Sequence, residues 1–177
     1  MATGPGPLGK SIDIGVGAAV QNFNGSGITG KNISLQDCEG VLVVVTKLAN
    51  GTTDDLALDL QEVDGAAGTP RDLDIITDYW TKQETALDND EPWVKTTQTA
   101  ASEITAIAGT AEVQLVLAFA VRAADLSDGY THIAVNVPDL GNTDTEYGCV
   151  LYIKYGLKEQ RTPANLPNLL NPGAANA

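Results

Sequence analysis

Hydrophobic side chains recur at every second position in several short stretches of the chain. In residues 12–20 (IDIGVGAAV) each alternate residue is Ile, Val or Ala. A period of two places these side chains on one side of an extended strand, so the pattern predicts a β-strand with one buried face. The predicted buried residues are Ile12, Ile14, Val16, Ala18 and Val20.

Two apolar runs follow at residues 40–49 and 55–63. The first, GVLVVVTKLA, is a continuous valine-rich stretch with the length of a central strand. The second, DLALDLQEV, places Leu56, Leu58 and Leu60 on one face. Because the turn-forming sequence NGTT lies between them, the two runs predict a hairpin.

Three further runs in the second half of the chain alternate in the same way, and the segments between them are rich in Asp, Asn, Gly and Pro. Many short strands joined by such turns predict an all-β fold, an antiparallel β-sandwich or jelly-roll-like single domain over residues 12–157. The first run, EVQLVLAFAV (112–121), places Val113, Leu115, Leu117, Phe119 and Val121 on one face, and the second, YTHIAVNV (130–137), does so with Ile133, Val135 and Val137. The third, YGCVLYIKYGL (147–157), alternates Cys149, Leu151, Ile153 and Tyr155 with Val150, Tyr152 and Lys154.

The middle of the chain, residues 78–110, gives no single prediction. The stretch TQTAASEITAIAG fits a helix with Ala100, Ile104 and Ile107 on one side, but it also fits an irregular strand. Both interpretations stay open.

The two ends differ from the β-patterned body. Residues 1–11 are rich in glycine and proline, and residues 158–177 interleave prolines with leucines. Neither end can build a core of its own, so both are predicted to be extended arms. Leucines are costly to leave in water, which predicts that the C-terminal arm docks either on a neighbouring protein or back over an open edge of its own sandwich. The leucines concerned are Leu157, Leu166, Leu169 and Leu170.

Composition narrows the function. The 177 residues suffice for one domain with a sizeable core, and 23 acidic against 10 basic residues give a formal charge of −13. This charge repels nucleic acid phosphates and anionic membranes, so neither is an expected partner. The N-terminus lacks the pattern of a secretory signal, and no apolar run has the length of a membrane helix, so we expect a soluble chain that is not exported.

Two glycine-rich strings imitate nucleotide-binding motifs. Residues 4–11 (GPGPLGKS) have the spacing of a phosphate-binding loop, but no strand precedes them, and Pro5 and Pro7 lack the amide donors that such a loop needs. Residues 25–30 (GSGITG) match a dinucleotide-binding pattern without a βαβ unit around them. No cofactor is therefore predicted.

The acidic string LDNDEPW (87–93) is the candidate for a metal site. Asp88, Asp90 and Glu91 would suit calcium, but Pro92 and the missing loop glycine break the EF-hand spacing. A solvated acidic turn is the favoured interpretation, and no metal is predicted.

Nucleophilic catalysis has little support in the sequence. His132 is the only histidine, and Cys38 and Cys149 are far apart and best interpreted as buried free thiols, although a disulfide between them stays open. No acid, base and nucleophile stand at a spacing typical of an enzyme. A non-enzymatic protein is predicted.

The order of these stretches resembles the small β-sandwich decoration, or cement, proteins of tailed-bacteriophage heads. The resemblance covers roughly residues 10–170 and includes no catalytic motif. It is carried by LALDLQEVD, YTHIAVNVPDLGNT, the closing strand YGCVLYIKYG and the following RTPANLP.

This resemblance implies a virion protein that is made in the host cytoplasm, binds the outer capsid surface and bridges major capsid subunits. It also implies a homo-oligomer on the capsid, with residues 1–10 and 161–170 as contact segments. The contact segments and the leucines of the C-terminal arm together give the candidate partner-binding residues. They are Pro5, Pro7, Leu8, Leu157, Arg161, Pro163, Leu166, Pro167, Leu169 and Leu170.

Two alternatives stay open. One is another role in the same particle, such as a tail or fibre component or a jelly-roll capsid protein. The other is a carbohydrate-binding or adhesin sandwich, for which exposed aromatic rings would provide a surface for stacking sugars. The candidate rings are Tyr79, Trp80, Trp93 and Tyr130.

Overall fold

The computed structural model describes residues 8–23, 27–49, 55–105, 107, 113–139 and 145–158. Regular structure in these residues is almost entirely extended, apart from one short 3-10 segment, η1 (Ala123–Asp125). The strands are β1 (Ile12–Asn22), β2 (Ile33–Ser34), β3 (Gly40–Lys47), β4 (Leu58–Val63), β5 (Pro70–Asp72), β6 (Ile76–Glu84), β7 (Val94–Ala101), β8 (Glu103–Ile104), β9 (Gln114–Arg122), β10 (His132–Asn136) and β11 (Tyr147–Tyr155).

These strands form two antiparallel sheets that pack against each other. One sheet has six strands in the order β1-β11-β3-β9-β6-β7, and the other has the order β2-β10-β4-β5 with β8 paired to β4. Side chains from the inward positions of both sheets form one hydrophobic core. The predicted antiparallel β-sandwich is confirmed.

Alternation identified the buried positions of most strands correctly. Strand β11 is an exception, because both of its faces contain apolar side chains and alternation did not decide between them. The buried set is Val150, Tyr152 and Lys154, while Cys149, Leu151 and Ile153 lie on the other side of the sheet. Elsewhere the predicted residues that are buried are Leu56, Leu58, Leu60, Leu115, Leu117, Phe119, Val121, Ile133, Val135 and Val137.

The predicted hairpin between the runs at 40–49 and 55–63 is wrong. Strand β3 lies in the six-stranded sheet, between β11 and β9, whereas β4 lies in the second sheet beside β10 and β5. The connection therefore crosses from one layer of the sandwich to the other. The sequence NGTT at residues 50–53 lies outside the described residues.

The described residues in the ambiguous middle of the chain are strands and a connecting loop, without a helix. Strand β6 pairs with β7 at the edge of the six-stranded sheet, and β8 pairs with β4 in the other sheet. Of the three residues that fit a helical face, Ala100 is exposed, while Ile104 and Ile107 are buried in the core. The strand interpretation is therefore correct.

Strand β1 exists as predicted, but its predicted buried face is wrong. Ile14, Val16 and Val20 are exposed, and Ile12 is only half-buried. A register shift between Val16 and Ala18 changes the side of the strand on which the next residues lie, so Ala18 alone of the five is buried.

Two glycines explain this inversion. Gly15 and Gly17 occupy the inward positions of β1, where a Cβ on Gly17 would lie 2.7 Å from the ring of Tyr152 and one on Gly15 would lie 2.6 Å from Ile33 Cδ1. The ring of Tyr152 and the side chain of Ile33 take the space that inward side chains of β1 would need. The aliphatic residues of β1 consequently point away from the core.

Polar contacts also hold the sandwich together. The hydroxyl of Tyr152 in one sheet accepts a hydrogen bond from Val135 N–H in the other at 2.9 Å, and burial raises the pKa of Tyr152 to about 12. Lys47 Nζ lies 2.9 Å from Glu146 Oε1, with both side chains fully buried. Loss of one partner of such a pair would leave an uncompensated buried charge.

The last described residues leave the sandwich at one end of the six-stranded sheet. After β11 the chain turns at Gly156, whose φ of 62° favours glycine, and Lys158 N–H then donates to the carbonyl of Asp37 at 2.9 Å. Residues 1–7 and 159–177, which include most of both predicted arms, lie outside the described residues. Within the described part of the chain, no helix has the length and apolarity needed to cross a membrane.

Candidate functional site: the outer apolar face

The six-stranded sheet has a second face that points away from the core, and this face is also apolar. Its side chains alternate along each strand with the buried ones and are mostly half-buried or exposed. We call it the outer apolar face and define it by nine residues: Ile14, Val16, Leu42, Val44, Trp80, Val116, Ala118, Leu151 and Ile153.

The strand register brings these residues into continuous rows. One row crosses five strands through residues that are direct neighbours: Val16, Leu151, Val44, Ala118 and Trp80. At a strand spacing of about 4.8 Å, this row spans roughly 19 Å.

A parallel row, two residues along each strand, extends the same surface. It consists of Ile14, Ile153 and Leu42, with Ala120 of β9 as the next neighbour. A third row on the opposite side contains Val116 beside Thr46 and Cys149. The three rows together cover about 13 Å along the strands, so the patch has a footprint of roughly 250 Å².

A shallow cleft lies at the β6–β7 end of this face. Leu42, Trp80, Trp93 and Ala118 line a cavity of about 270 Å³. Both tryptophans are accessible, with 37% of Trp80 and 50% of Trp93 exposed. Trp93 lies just before β7 in the sequence, and its side chain lines the cleft together with Leu42. We call this feature the Trp80–Trp93 cleft.

Two lysines lie over the tryptophan rings. Lys82 Nζ is 5.4 Å from the centre of the Trp93 ring, and Lys95 Nζ is 5.5 Å from the centre of the Trp80 ring. Lys95 also forms an ion pair with Asp78 at 3.0 Å. Such cation–π contacts position the rings while leaving their apolar surfaces accessible beside the cleft.

A smaller cavity of about 190 Å³ lies at the other end of the same sheet. Val20, Leu48 and Tyr147, all substantially exposed, line it together with Cys149. Burial raises the pKa of the Cys149 thiol, which keeps the sulfur protonated and weakly nucleophilic. This cavity therefore adds apolar surface and no reactive group.

The aromatic platform considered for sugar binding forms only in part. Trp80 and Trp93 share the cleft, but Tyr79 points into the core and is buried. Tyr130 lies outside the cleft, with the guanidinium of Arg71 4.2 Å above its ring centre. Two of the four predicted rings are thus on one surface.

The predicted partner-binding residues are mostly beyond the described part of the chain. Leu8 is exposed and lies beside β1, bridged to Ile12. Leu157 packs partly buried against the core of its own sandwich. The residues outside the described ranges are Pro5, Pro7, Arg161, Pro163, Leu166, Pro167, Leu169 and Leu170.

The acidic string between β6 and β7 folds into a carboxylate cluster. Oxygens of Glu84, Asp88, Asp90 and Glu91 lie within 4.8 Å of one another, which makes this the candidate cation site among the described residues. Desolvation, reinforced by the neighbouring carboxylates, raises the pKa of Glu84. Glu91 accepts a hydrogen bond from Asp88 N–H at 2.6 Å, and Asp88 accepts one from Asp90 N–H at 3.3 Å. These bonds within the loop account for the clustering.

The remaining reactive residues have structural surroundings. Both cysteines are free thiols; Cys38 is buried as predicted, whereas Cys149 is only half-buried. Burial raises the pKa of Cys38, although the charge of Lys154 acts in the opposite direction. His132 is half-buried with Nδ1 2.8 Å from Thr131 Oγ1, and burial followed by the charge of Lys154 lowers its pKa. The thiols are thus protonated and the histidine neutral at pH 7.

Comparison of the chain with protein-family models, with curated proteins and with solved structures gives no match in any of the three. Function is therefore inferred from the residues of this chain. The outer apolar face was not identified from the sequence, although the alternation in residues 147–155, apolar on both sides of the strand, was a signal for it.

Proposed function

We propose that this protein is a non-enzymatic structural protein that binds a protein surface through its outer apolar face. The observation that carries the proposal is the continuous row of apolar side chains from Val16 to Trp80 across five strands. An apolar patch on the surface of a soluble protein is often a functional surface. A broad sheet face suits a large protein partner, whereas small molecules usually bind in deep cavities.

The partner proposed is the major capsid protein on the outside of a tailed-phage head. This choice rests on the resemblance of the sequence pattern to that of decoration proteins and on the charge of −13, which suits a protein placed away from packaged DNA. A protein that binds the assembled shell more tightly than it binds free subunits shifts the assembly equilibrium toward the shell. Many attached copies would thereby stabilise the head.

The two predicted arms extend this proposal. Residues 1–10 and 161–170 would contact adjacent subunits once the face is bound. Linked contacts increase the effective concentration of the second contact, so individually weak contacts give lasting attachment. The arms thus supply bridging between subunits, and the face supplies the main contact area.

A carbohydrate-binding role is the second candidate, because Trp80 and Trp93 border one cleft. Sugar recognition combines ring stacking with hydrogen bonds to hydroxyl groups. The other residues that line the cleft, Leu42 and Ala118, are apolar, which favours a protein side chain as occupant. Glycan-array binding that is lost in a Trp93→Ala variant would favour the carbohydrate role.

The test is attachment to heads that lack this protein. Purified protein is mixed with such heads, and the particles are imaged by electron microscopy. We expect regular surface density with the wild-type chain, since every equivalent capsid position offers the same partner. Bare heads at saturating protein would contradict the proposal and favour a tail component or a sugar-binding module.

The chain offers a matched pair of variants for this test. Val16 and Val94 are both exposed, by 45% and 54%, and they lie on the two edge strands of the same sheet. Val16 belongs to the outer apolar face, whereas Val94 points to the opposite side because the next residue, Lys95, is opposite Trp80. We expect Val16→Glu to lose attachment and Val94→Glu to retain it. Equal occupancy of both variants would exclude the outer apolar face as the contact surface.

A further inference from the structure

The Trp80–Trp93 cleft has the size and lining of a site for an aliphatic side chain. Its volume of about 270 Å³, open on the solvent side, leaves room for one aliphatic side chain. Two indole rings and the apolar side chains of Leu42 and Ala118 line it. A leucine or proline side chain inserted there would remove apolar surface from water on both partners.

The same chain carries a segment of matching chemistry. Residues 161–172 read RTPANLPNLLNP, with prolines at every fourth or fifth position and leucines between them. Aromatic-lined grooves bind proline-containing extended segments well, because proline restricts the unbound segment and lowers the entropy cost of binding. Residues 159–177 contain one acid and one base, so they bring no net side-chain charge to a body that is strongly acidic.

The attachment point of this segment lies within reach of the cleft. Lys158 is fixed beside the start of β3, where its N–H bonds Asp37 O at 2.9 Å and its Nζ bonds Gln36 O at 3.2 Å. The cleft lies about four residues along the strands from Gly40 and two strands across the sheet, so the distance from Gly40 to the cleft is roughly 17 Å. An extended segment of eight residues, from Lys158 to Leu166, spans about 25 Å.

We propose that in the free protein residues 159–177 lie on the outer apolar face of their own chain, with leucine side chains in the Trp80–Trp93 cleft. A short tether gives the segment an effective concentration in the millimolar range, which favours this contact over one between separate molecules. The proposal goes beyond attachment to a capsid, because it concerns the protein before any partner binds. A partner of the face then has to displace the segment, which is released for contacts elsewhere.

Tryptophan fluorescence of the full-length chain tests this directly, since Trp80 and Trp93 are the only two tryptophans and both line the cleft. The variant L166D/L169D removes two leucines of the segment and adds two charges. The matched control N165D/N171D adds the same two charges to the same segment and keeps every leucine. We expect L166D/L169D to shift the emission to longer wavelength and to increase quenching by acrylamide, and the control to match the wild type.

Three outcomes would overturn the proposal. Identical emission of L166D/L169D and the wild type would mean that the leucines do not cover the cleft. An emission shift of the wild type on dilution would assign the contact to a second copy. Absence of NOEs between leucine methyls and the indole protons in the wild type would exclude direct contact. None of these measurements uses phage heads, so their failure is distinct from failure of the capsid-binding proposal.

Discussion

The two sheets of this sandwich present opposite chemistry to the outside. On the six-stranded sheet two rows of outward side chains across the strands are aliphatic or aromatic, with Thr46, Lys82 and Lys95 at their borders. On the other sheet Asn136 links three neighbours: its Nδ2 donates to Gln61 Oε1 at 2.8 Å and to Asp59 Oδ2 at 3.4 Å, and its Oδ1 accepts from Gly30 N–H at 2.9 Å. The outer surface of the second sheet thus contains a hydrogen-bonded polar network, whereas the outer surface of the six-stranded sheet is mainly apolar.

This difference separates stability from binding. Apart from Asp59 Oδ1, which accepts no hydrogen bond among the described residues, the polar groups around Asn136 have partners within the chain, so they stabilise the fold and offer little to another protein. The outer apolar face has the reverse character, because its burial is incomplete and a partner that covers it would gain from removing that surface from water. Substitutions should therefore affect folding on one sheet and association on the other.

The largest loss of stability is expected for a substitution in β1 that tests why its aliphatic residues point outward. In Gly17→Ala the new Cβ would lie 2.7 to 2.8 Å from the ring of Tyr152, which must move. We expect a loss of about 1–3 kcal/mol of unfolding free energy, the usual cost of overpacking a core. Urea unfolding followed by circular dichroism measures it.

Gly65→Ala is the control for this substitution, because a Cβ at Gly65 meets no atom within 4 Å. We expect its unfolding midpoint to equal that of the wild type within about 0.5 kcal/mol. If Gly17→Ala were as stable as Gly65→Ala, the ring of Tyr152 would not be the cause of the inverted strand.

A smaller loss of stability is expected when one substitution on each outer face is compared. Asn136→Ala removes hydrogen bonds to Gln61 and Gly30, so we expect a loss of about 1–2 kcal/mol. Val16→Thr, which introduces a hydroxyl of similar size on the outer apolar face, should change stability by less than about 0.5 kcal/mol. Thermal and urea unfolding of the two variants side by side decide the matter. Equal losses would remove the distinction between a stabilising face and a binding face.

The smallest expected effect is a pH dependence of the unfolding free energy that arises from Glu62 in the second sheet. Glu62 of β4 is buried; burial raises its pKa, but hydrogen bonds from Ser127 and Arg71 outweigh this and hold the pKa below its ordinary value. A lowered pKa in the folded state means that the unfolded chain binds the proton first. The stabilisation by Glu62 is thus complete above the unfolded pKa of about 4.3 and is lost as the pH falls through the folded pKa.

Glu62→Gln should therefore be less stable than the wild type at neutral pH and show a flatter decline in melting temperature below about pH 4.3. Burial, reinforced by the negative charges of Asp72 and Glu103, raises the pKa of Asp59, so Asp59 affects the pH dependence of stability in the opposite direction. Parallel melting curves for the variant and the wild type across the acidic range would assign the acid sensitivity to other carboxylates.

Much of the fold follows from local pattern, and its failures have a physical cause. A period of two is a property of neighbouring residues, so Leu56, Leu58 and Leu60 were recognised as one buried face. Which face of a strand is buried depends on distant residues: the sequence of β1 alone does not reveal that Tyr152 occupies the space beside Gly17. The same reason explains the wrong hairpin, since the choice of sheet for β3 depends on β9 and β11.

The candidate site was harder to predict than the fold. Its residues come from five strands that lie far apart in sequence, and each contributes one or two side chains. In β11 both faces contain apolar residues, with Leu151 and Ile153 on one and Val150 and Tyr152 on the other, so alternation alone does not tell which faces the core. Only the register across the sheet reveals the patch.

The pairing of β1 with β11 determines when the protein can fold. Ile12 is opposite Tyr155, and β11 lies between β1 and β3, so the first and third strands have no bridge until the last strand has been synthesised. Contacts of such long sequence separation make folding slow, because loop closure must precede the interactions that compensate for it. On the ribosome, the unpaired edges of β1 and β3 would stay open through most of translation. Chaperone binding during synthesis would protect those edges until residues 147–155 emerge.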